Sequence, residues 1–142
     1  MSAYRTGSTL PPVLVVAFNT HVVGVEPQTG VRLWSWSPMP AGAAAGWRIA
    51  FAPGGRVLAC GGTLVVCLAY ETGKELWRRD SPVSAGTLLV EGDRFFLAGS
   101  GTLAAFDLDS GKLLWHEPFK GHGHGAVALG FPGNVVQADD NT

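Results

Sequence analysis

One short motif recurs three times along the chain, and it limits the possible folds more than any other feature. The motif is Thr or Ser, then Gly, two variable residues, Leu and Trp, and it ends at Trp34, Trp77 and Trp115. The second Trp follows the first by 43 residues, and the third follows the second by 38. A period of about 40 to 45 residues is typical of one four-stranded propeller blade. The repeat therefore predicts a series of similar units.

Each unit has the local sequence of four short strands. Two apolar runs separated by a small polar turn precede every motif, and this pattern predicts a β-hairpin. A further apolar run precedes each later unit, and no segment shows convincing helical periodicity. The predicted hairpins span residues 13–25, 57–68 and 95–106, and the further strands span residues 47–52, 87–90, 126–131 and 134–138.

The longer pattern Asp-x-x-Thr/Ser-Gly-x-x-x-Trp resembles the repeat of β-propellers of the pyrroloquinoline-quinone (PQQ) type. Its acidic position is kept as Asp107, is Glu26 in the first unit and is Ala69 in the second. The resemblance implies that each Trp docks between adjacent blades and that each Gly turn lets the blades approach. The implied docking residues are Trp34, Trp77 and Trp115, and the implied turn residues are Gly30, Gly73 and Gly111.

Together these features predict an all-β chain that forms a β-propeller of four-stranded antiparallel blades, with about three and a half blades per chain. Residues 1–12 are expected to be poorly structured or an edge strand. The first unit lacks a good first strand, and the last unit lacks its third and fourth strands. The predicted units are roughly residues 13–40, 47–82 and 86–119, with a partial unit at 126–142.

An incomplete ring would leave apolar blade faces and sheet edges in water. We therefore expect the C-terminal strands of one chain to complete a blade with the N-terminal strands of another, in a head-to-tail contact that closes a ring of about six or eight blades. A homodimer is the favoured assembly. The alternatives are that a different protein supplies the missing blades, or that the chain is an excerpt from a longer propeller. The expected edge residues are Leu14, Val16, Val135 and Gln137.

Charge and hydropathy narrow the classes of partner. A formal net charge of -1 with 10 Lys and Arg residues gives no basic patch for nucleic acid or for an anionic membrane. No apolar run approaches the roughly 20 residues that a membrane-spanning helix needs. Residues 1–12 also contain no apolar signal segment. We therefore expect a cytoplasmic protein without nucleic-acid or membrane partners.

The sequence contains few residues that could form a catalytic site, a metal site or a disulfide. Cys60 and Cys67 are predicted to be buried thiols rather than a disulfide, because no secretion signal precedes them. His122 and His124 in a Gly-rich loop are weak metal candidates without a third or fourth ligand nearby. PQQ dehydrogenases, as the resemblance implies, need a complete ring, a calcium site and a catalytic Asp. The one acidic cluster here, Asp139–Asp140, is terminal. We expect no catalytic residue and no cofactor.

The favoured function is a non-catalytic scaffold or protein-interaction module that self-assembles into a ring. One alternative is a propeller that binds or senses a small quinone-like molecule in its central channel. Another is half of a split propeller that a different protein completes. The resemblance also includes a propeller that helps to assemble outer-membrane proteins, a role that would require export. A quinoprotein-like oxidoreductase is the least favoured alternative.

Overall fold

The computed structural model describes residues 12–18, 20–38, 46–121, 123 and 125–138. These residues contain 13 β-strands and no helix, so none of their segments is a helix that could cross a membrane. The strands are β1 (Leu14–Ala17), β2 (Val22–Val25), β3 (Arg32–Trp36), β4 (Arg48–Ala52), β5 (Arg56–Gly61), β6 (Leu64–Ala69), β7 (Glu75–Asp80), β8 (Thr87–Glu91), β9 (Arg94–Gly99), β10 (Thr102–Asp107), β11 (Leu113–Glu117), β12 (Leu129–Phe131) and β13 (Asn134–Val136).

The strands form four antiparallel sheets, in which every strand pairs with its neighbour in the chain. Sheet 1 has the order β1-β2-β3, sheet 2 the order β4-β5-β6-β7, and sheet 3 the order β8 to β11. Sheet 4 contains β12 and β13. The all-β prediction of four-stranded antiparallel blades is confirmed in sheets 2 and 3.

Two predicted strand boundaries in the last unit are wrong. The strand predicted over residues 126–131 begins only at Leu129, and the strand predicted over residues 134–138 ends at Val136. Gln137 therefore lies beyond β13 instead of on a strand edge. Sheet 4 has no described third strand that could pair with β13 and extend it.

The middle strands of sheet 2, β5 and β6, are buried on both faces, which explains their almost continuous apolar sequence. Alternate residues of a strand point to opposite faces of its sheet. On β5, Leu58 and Cys60 join the core that sheet 2 shares with sheet 3, whereas Val57 and Ala59 join the core shared with sheet 1. The sheets are therefore stacked face to face, as successive blades are.

The first strand of each later sheet contacts the first strand of the next one. β4 lies beside β8, and β8 lies beside β12 and β13. The first strands thus form the inner side of the stack, and the motif strands β3, β7 and β11 end their sheets on the other side. This arrangement places Trp34 and Trp77 where one sheet meets the next.

Candidate functional site at the blade joints

The joint between sheets 1 and 2 is built around Trp34. Its side chain is 8% exposed, and its indole Nε1 donates a hydrogen bond of 3.0 Å to the carbonyl oxygen of Tyr70. A Cβ added at Gly73 or at Gly24 would come closer than 3.0 Å to the indole ring. The ring is therefore clamped between a glycine of its own sheet and the turn glycine of the next sheet.

Trp77 makes the same joint between sheets 2 and 3. Its Nε1 donates to the carbonyl oxygen of Leu108 over 3.2 Å, and its ring lies so close to Gly111 that no Cβ would fit there. The ring also stacks on Phe95, with centroids 5.9 Å apart. In both joints the accepting carbonyl belongs to the residue seven positions before the next motif Trp. The joint is thus a repeated structural unit with fixed spacing.

The three turns that carry the motif glycines have the same backbone. In each turn the glycine N–H donates a 2.8 Å bond to the carbonyl four residues earlier. The φ angles of Gly30, Gly73 and Gly111 are 75, 73 and 75 degrees, a region that favours glycine over other residues. Local sequence therefore builds the same receiving turn in all three units, whether or not a Trp covers it.

The acidic residue of the motif caps this turn. The carboxylate of Glu26 accepts hydrogen bonds from the N–H groups of Gln28 and Thr29. Asp107 accepts bonds from the hydroxyl and the N–H of Ser110, at 2.7 and 2.9 Å. These bonds, led by the Gln28 N–H in the first turn and by the Ser110 hydroxyl in the third, hold the pKa of both carboxyl groups below its ordinary value. Ala69 carries no carboxylate, so its turn forms without this cap.

The third Trp and the first turn are unlike their counterparts. The prediction that Trp115 is wedged between sheets is wrong within this chain, because its side chain is 41% exposed. The turn that would receive it lies between the third and fourth strands of a sheet, and sheet 4 has two described strands. Conversely, Gly30 forms its turn but no described atom lies within 4 Å of a Cβ built there. We call the turn Glu26–Gly30 the open turn and Trp115 the open tryptophan.

Exposed apolar side chains lie in the two units that carry the open halves and in sheet 4. The predicted edge residues Leu14 and Val135 are 54% and 57% exposed, Val16 is partly buried and Gln137 is exposed. Leu14 and Val16 lie on sheet 1, whereas Val135 lies on sheet 4 and Gln137 just beyond it, so the structure does not bring the two pairs together within one chain. Other exposed large apolar residues are Phe18, Val31 and Leu33 in the first unit, and Leu113, Leu114, Phe119 and Phe131 toward the other end.

A cavity of about 330 Å³ lies along the inner strands β4 and β8 beside β13. Arg48, which lines it, donates from Nε to the carbonyl of Gly86 over 2.6 Å. Asn134 donates to the carbonyl of Val90 and to the Glu91 carboxylate, at 2.7 Å each. Sequence reasoning missed both Arg48 and Asn134, because neither has a counterpart in the repeat. Their polar groups are used to hold neighbouring sheets together.

The described residues offer no metal centre or reactive thiol. Cys60 and Cys67 are free and buried, as predicted, and burial raises the pKa of Cys60 to about 12 and that of Cys67 to about 11. No group of three or more His, Cys, Asp or Glu side chains among the described residues could hold a metal ion. The donor set here therefore does not fit the calcium of PQQ dehydrogenases. His122, His124 and Asp139–Asp140 lie outside the described residues.

Radially stacked four-stranded sheets joined by Trp on a Gly turn define the PQQ-type class of β-propeller. A family model (PQQ_2) described as outer membrane protein assembly factor BamB matches residues 18–141, and the chain belongs to this family. The predicted resemblance is thereby confirmed. None of the curated proteins compared with the chain matches its sequence.

Solved structures show the same fold. BamB from Moraxella catarrhalis is 20% identical, with a TM-score of 0.62 over 75% of this chain and 33% of that one. A quinohemoprotein alcohol dehydrogenase from Comamonas testosteroni is 18% identical, with a TM-score of 0.61 over 77% of this chain and 20% of its own. A europium-containing methanol dehydrogenase is 19% identical, with a TM-score of 0.57 over 73% and 22%. The chain therefore spans a third or less of the length of these propellers.

Proposed function

We propose that the chain is a non-catalytic propeller scaffold, or protein-interaction module, whose copies assemble head to tail into a closed ring. The observation that carries the proposal is that one molecule presents the two unlike halves of the same joint. The open turn at Gly30 receives no Trp, and the open tryptophan, Trp115, has no receiving turn. Unlike and complementary surfaces at opposite ends of a molecule produce heterologous contacts, which close into rings when the rotation allows.

The exposed apolar surface supports assembly. Ten of the twelve exposed large apolar side chains in the described part of the chain lie before or after sheet 2, which exposes Phe51 and Leu76 and buries its middle strands β5 and β6. Exposed apolar patches of this kind mark interaction surfaces. A contact that covers part of this surface removes apolar area from water at about 25 cal/mol per Å².

A scaffold role also agrees with the chemistry of the described side chains. A nucleophilic cysteine needs a lowered pKa and access to solvent, and both thiols have the opposite properties. The polar side chains of the inner cavity, Arg48 and Asn134, bond to protein atoms of neighbouring segments. These bonds connect neighbouring sheets within one chain.

Assembly is tested by sedimentation equilibrium over a series of protein concentrations. We expect a species whose mass is a multiple of 14.9 kDa, with two copies favoured. A chain that remains folded and monomeric at about 100 µM contradicts self-assembly, because stable interfaces of this kind associate at micromolar concentrations or below. Aggregation of the chain alone, together with its solubilisation by a different protein, also contradicts self-assembly. That result supports a split propeller.

A second candidate function is small-molecule binding at the inner cavity. Its volume of about 330 Å³ is at the lower end of the range for ligand pockets, roughly 300 to 1,000 Å³. An absorbance scan of the purified protein tests whether a quinone-like chromophore copurifies. A featureless spectrum above the aromatic band, with no thermal shift on adding a quinone, contradicts this function.

The cellular location also stays a prediction. The family description assigns its namesake to outer membrane assembly, and a similar role here would need export. Cell fractionation decides between that role and the predicted cytoplasmic location.

A further inference from the structure

We infer that the open tryptophan of one copy docks on the open turn of a second copy. Trp115 then lies over Gly30 of the second copy, its Nε1 donates to the carbonyl of Pro27, and Glu117 faces Arg32. The inference rests on the proposed self-assembly and names the contact that performs it.

The receiving side is already formed in the shape that Trp recognises. The open turn has the φ angle and the 2.8 Å backbone bond of the turns at Gly73 and Gly111, both of which lie under a Trp. The carbonyls that accept the indole N–H belong to Tyr70 and Leu108, and the equivalent residue of the first unit is Pro27. Pro27 and Gly30 are exposed. No rearrangement of the turn is required to receive an indole.

The donating side is equally well matched. Trp115 pairs with Ala105 across β10 and β11, as Trp34 pairs with Gly24 and Trp77 with Cys67. In all three sheets the pairing register shifts immediately after this partner residue. Trp115 therefore leaves its sheet from the same register position as the two docked tryptophans.

Charge supports the choice of a second copy as the occupant. In the joint between sheets 1 and 2, the residue two positions after the docking Trp contacts the residue two positions before the next motif Trp. These residues are Trp36 and Glu75, and the indole Nε1 donates to the carboxylate over 2.9 Å. In the inferred joint the same two positions hold Glu117 and Arg32, both exposed. Opposite charges thus meet where the joint between sheets 1 and 2 places a polar contact. The same two positions hold Arg79 and Leu113 in the joint between sheets 2 and 3.

The composite blade also has a defined strand order. β13 and β1 both occupy the second position of a blade, whereas β12 occupies the first, and β2 and β3 the third and fourth. Neighbouring strands lie about 4.8 Å apart, so keeping both β13 and β1 would move the open turn outward from Trp115 by that distance. Docking therefore pairs β12 of one copy with β1 to β3 of the other. The β12–β13 pairing and the hydrogen bonds of Asn134 to Val90 and Glu91 open when β1 takes the place of β13.

The first experiment compares Trp115→Ala with Leu114→Ala in the full chain by sedimentation equilibrium. Both side chains are 41% exposed and adjacent on β11. Leu76, the equivalent of Leu114 in a closed joint, is itself 47% exposed, so Leu114 is expected to stay outside the contact. We expect W115A to weaken self-association at least about thirtyfold, as loss of a central aromatic anchor does. L114A should change it by less than about threefold.

The second experiment reverses the charges. Glu117→Arg and Arg32→Glu should each weaken self-association about three- to fivefold per joint, the size of an exposed ion pair. The double variant E117R/R32E should recover association. An equimolar mixture of the two single variants should also recover it, because each joint of a mixed two-copy ring then pairs opposite charges.

The outcomes separate this inference from the proposed function. If the wild-type chain self-associates but W115A and the charge variants associate equally well, the inferred joint does not form and self-assembly uses another surface. If the wild-type chain stays monomeric, both fail together. Circular dichroism of each variant confirms that a weakened association does not reflect a loss of fold.

Discussion

The turns at Gly73 and at Gly30 are nearly the same structure with opposite environments. Their φ angles differ by 2 degrees, and both close with a 2.8 Å bond between glycine N–H and carbonyl. Yet Gly73 is buried under Trp34, while Gly30 is exposed. The motif therefore specifies a turn, and the neighbouring sheet decides whether that turn becomes a joint. The stabilising contact belongs to the pair of sheets.

The largest expected effect comes from replacing the docked Trp34, and the matched comparison is the same substitution at the exposed Trp115. Trp34→Ala should lower the free energy of unfolding by about 3 to 5 kcal/mol, because it leaves a cavity between two sheets. Trp115→Ala should lower it by less than about 1 kcal/mol at concentrations where the chain is monomeric, since the ring is already partly in water. Urea unfolding followed by circular dichroism measures both. Equal losses would mean that Trp34 does not act as a joint.

The receiving glycines should differ in the same direction. Gly73→Ala and Gly30→Ala share the strain of a positive φ, about 1 to 2 kcal/mol. Only at Gly73 does the new methyl group also meet an indole ring, which adds roughly 1 to 3 kcal/mol of overpacking. Gly92→Ala, at an exposed turn with a φ of 61 degrees and open space around it, is the matched control for strain alone. Gly30→Ala should behave like the control.

Alkaline pH should lower the free energy of unfolding, because both thiols are buried in sheet 2. The pKa of Cys60 is about 12 in the folded chain, against an ordinary value of 9.0. Above pH 9 the unfolded chain releases this proton and the folded chain keeps it, so stability is complete below pH 9 and falls as pH rises toward 12. We expect a loss on the order of 1 kcal/mol between pH 9 and pH 10.

A Cys60→Ala variant checks the cause of that loss, because it should reduce the decline in unfolding free energy above pH 9 to the part that Cys67 contributes. If wild type and variant lose stability in parallel over this interval, the thiol is not the titrating group. Cys67, with a folded pKa of about 11, is expected to contribute over a narrower range.

The smallest expected effect concerns the motif turn of sheet 2, which has Ala69 where the other two turns have a capping carboxylate. Ala69→Asp places a carboxylate where Glu26 and Asp107 already accept turn N–H groups. It should raise the free energy of unfolding by about 0.5 to 1 kcal/mol, the net value of one such bond. Thermal unfolding at neutral pH measures the gain, and Ala69→Asn serves as the uncharged comparison. A loss of stability would mean that the cap does not transfer between turns.

Sequence alone was sufficient for the motif turns and for most strands, since both depend on local patterns, but it misplaced the ends of β12 and β13. Short apolar runs separated by a polar turn locate β5 and β6, and Gly at the motif position fixes the turn. The difference between Trp34 and Trp115 could not be predicted from their motifs, because it depends on which sheet lies opposite. Arg48 and Asn134 were missed for a similar reason: their hydrogen bonds join residues about 40 positions apart.

The most direct test of the joint is a double-mutant cycle between Trp34→Ala and Gly73→Ala. With the indole removed, the methyl group at position 73 meets no ring, so the second substitution should cost only its backbone strain. The account predicts a coupling free energy of at least about 1 kcal/mol in the unfolding equilibrium. Additivity of the two losses within about 0.3 kcal/mol would contradict direct contact between the Trp and the Gly turn.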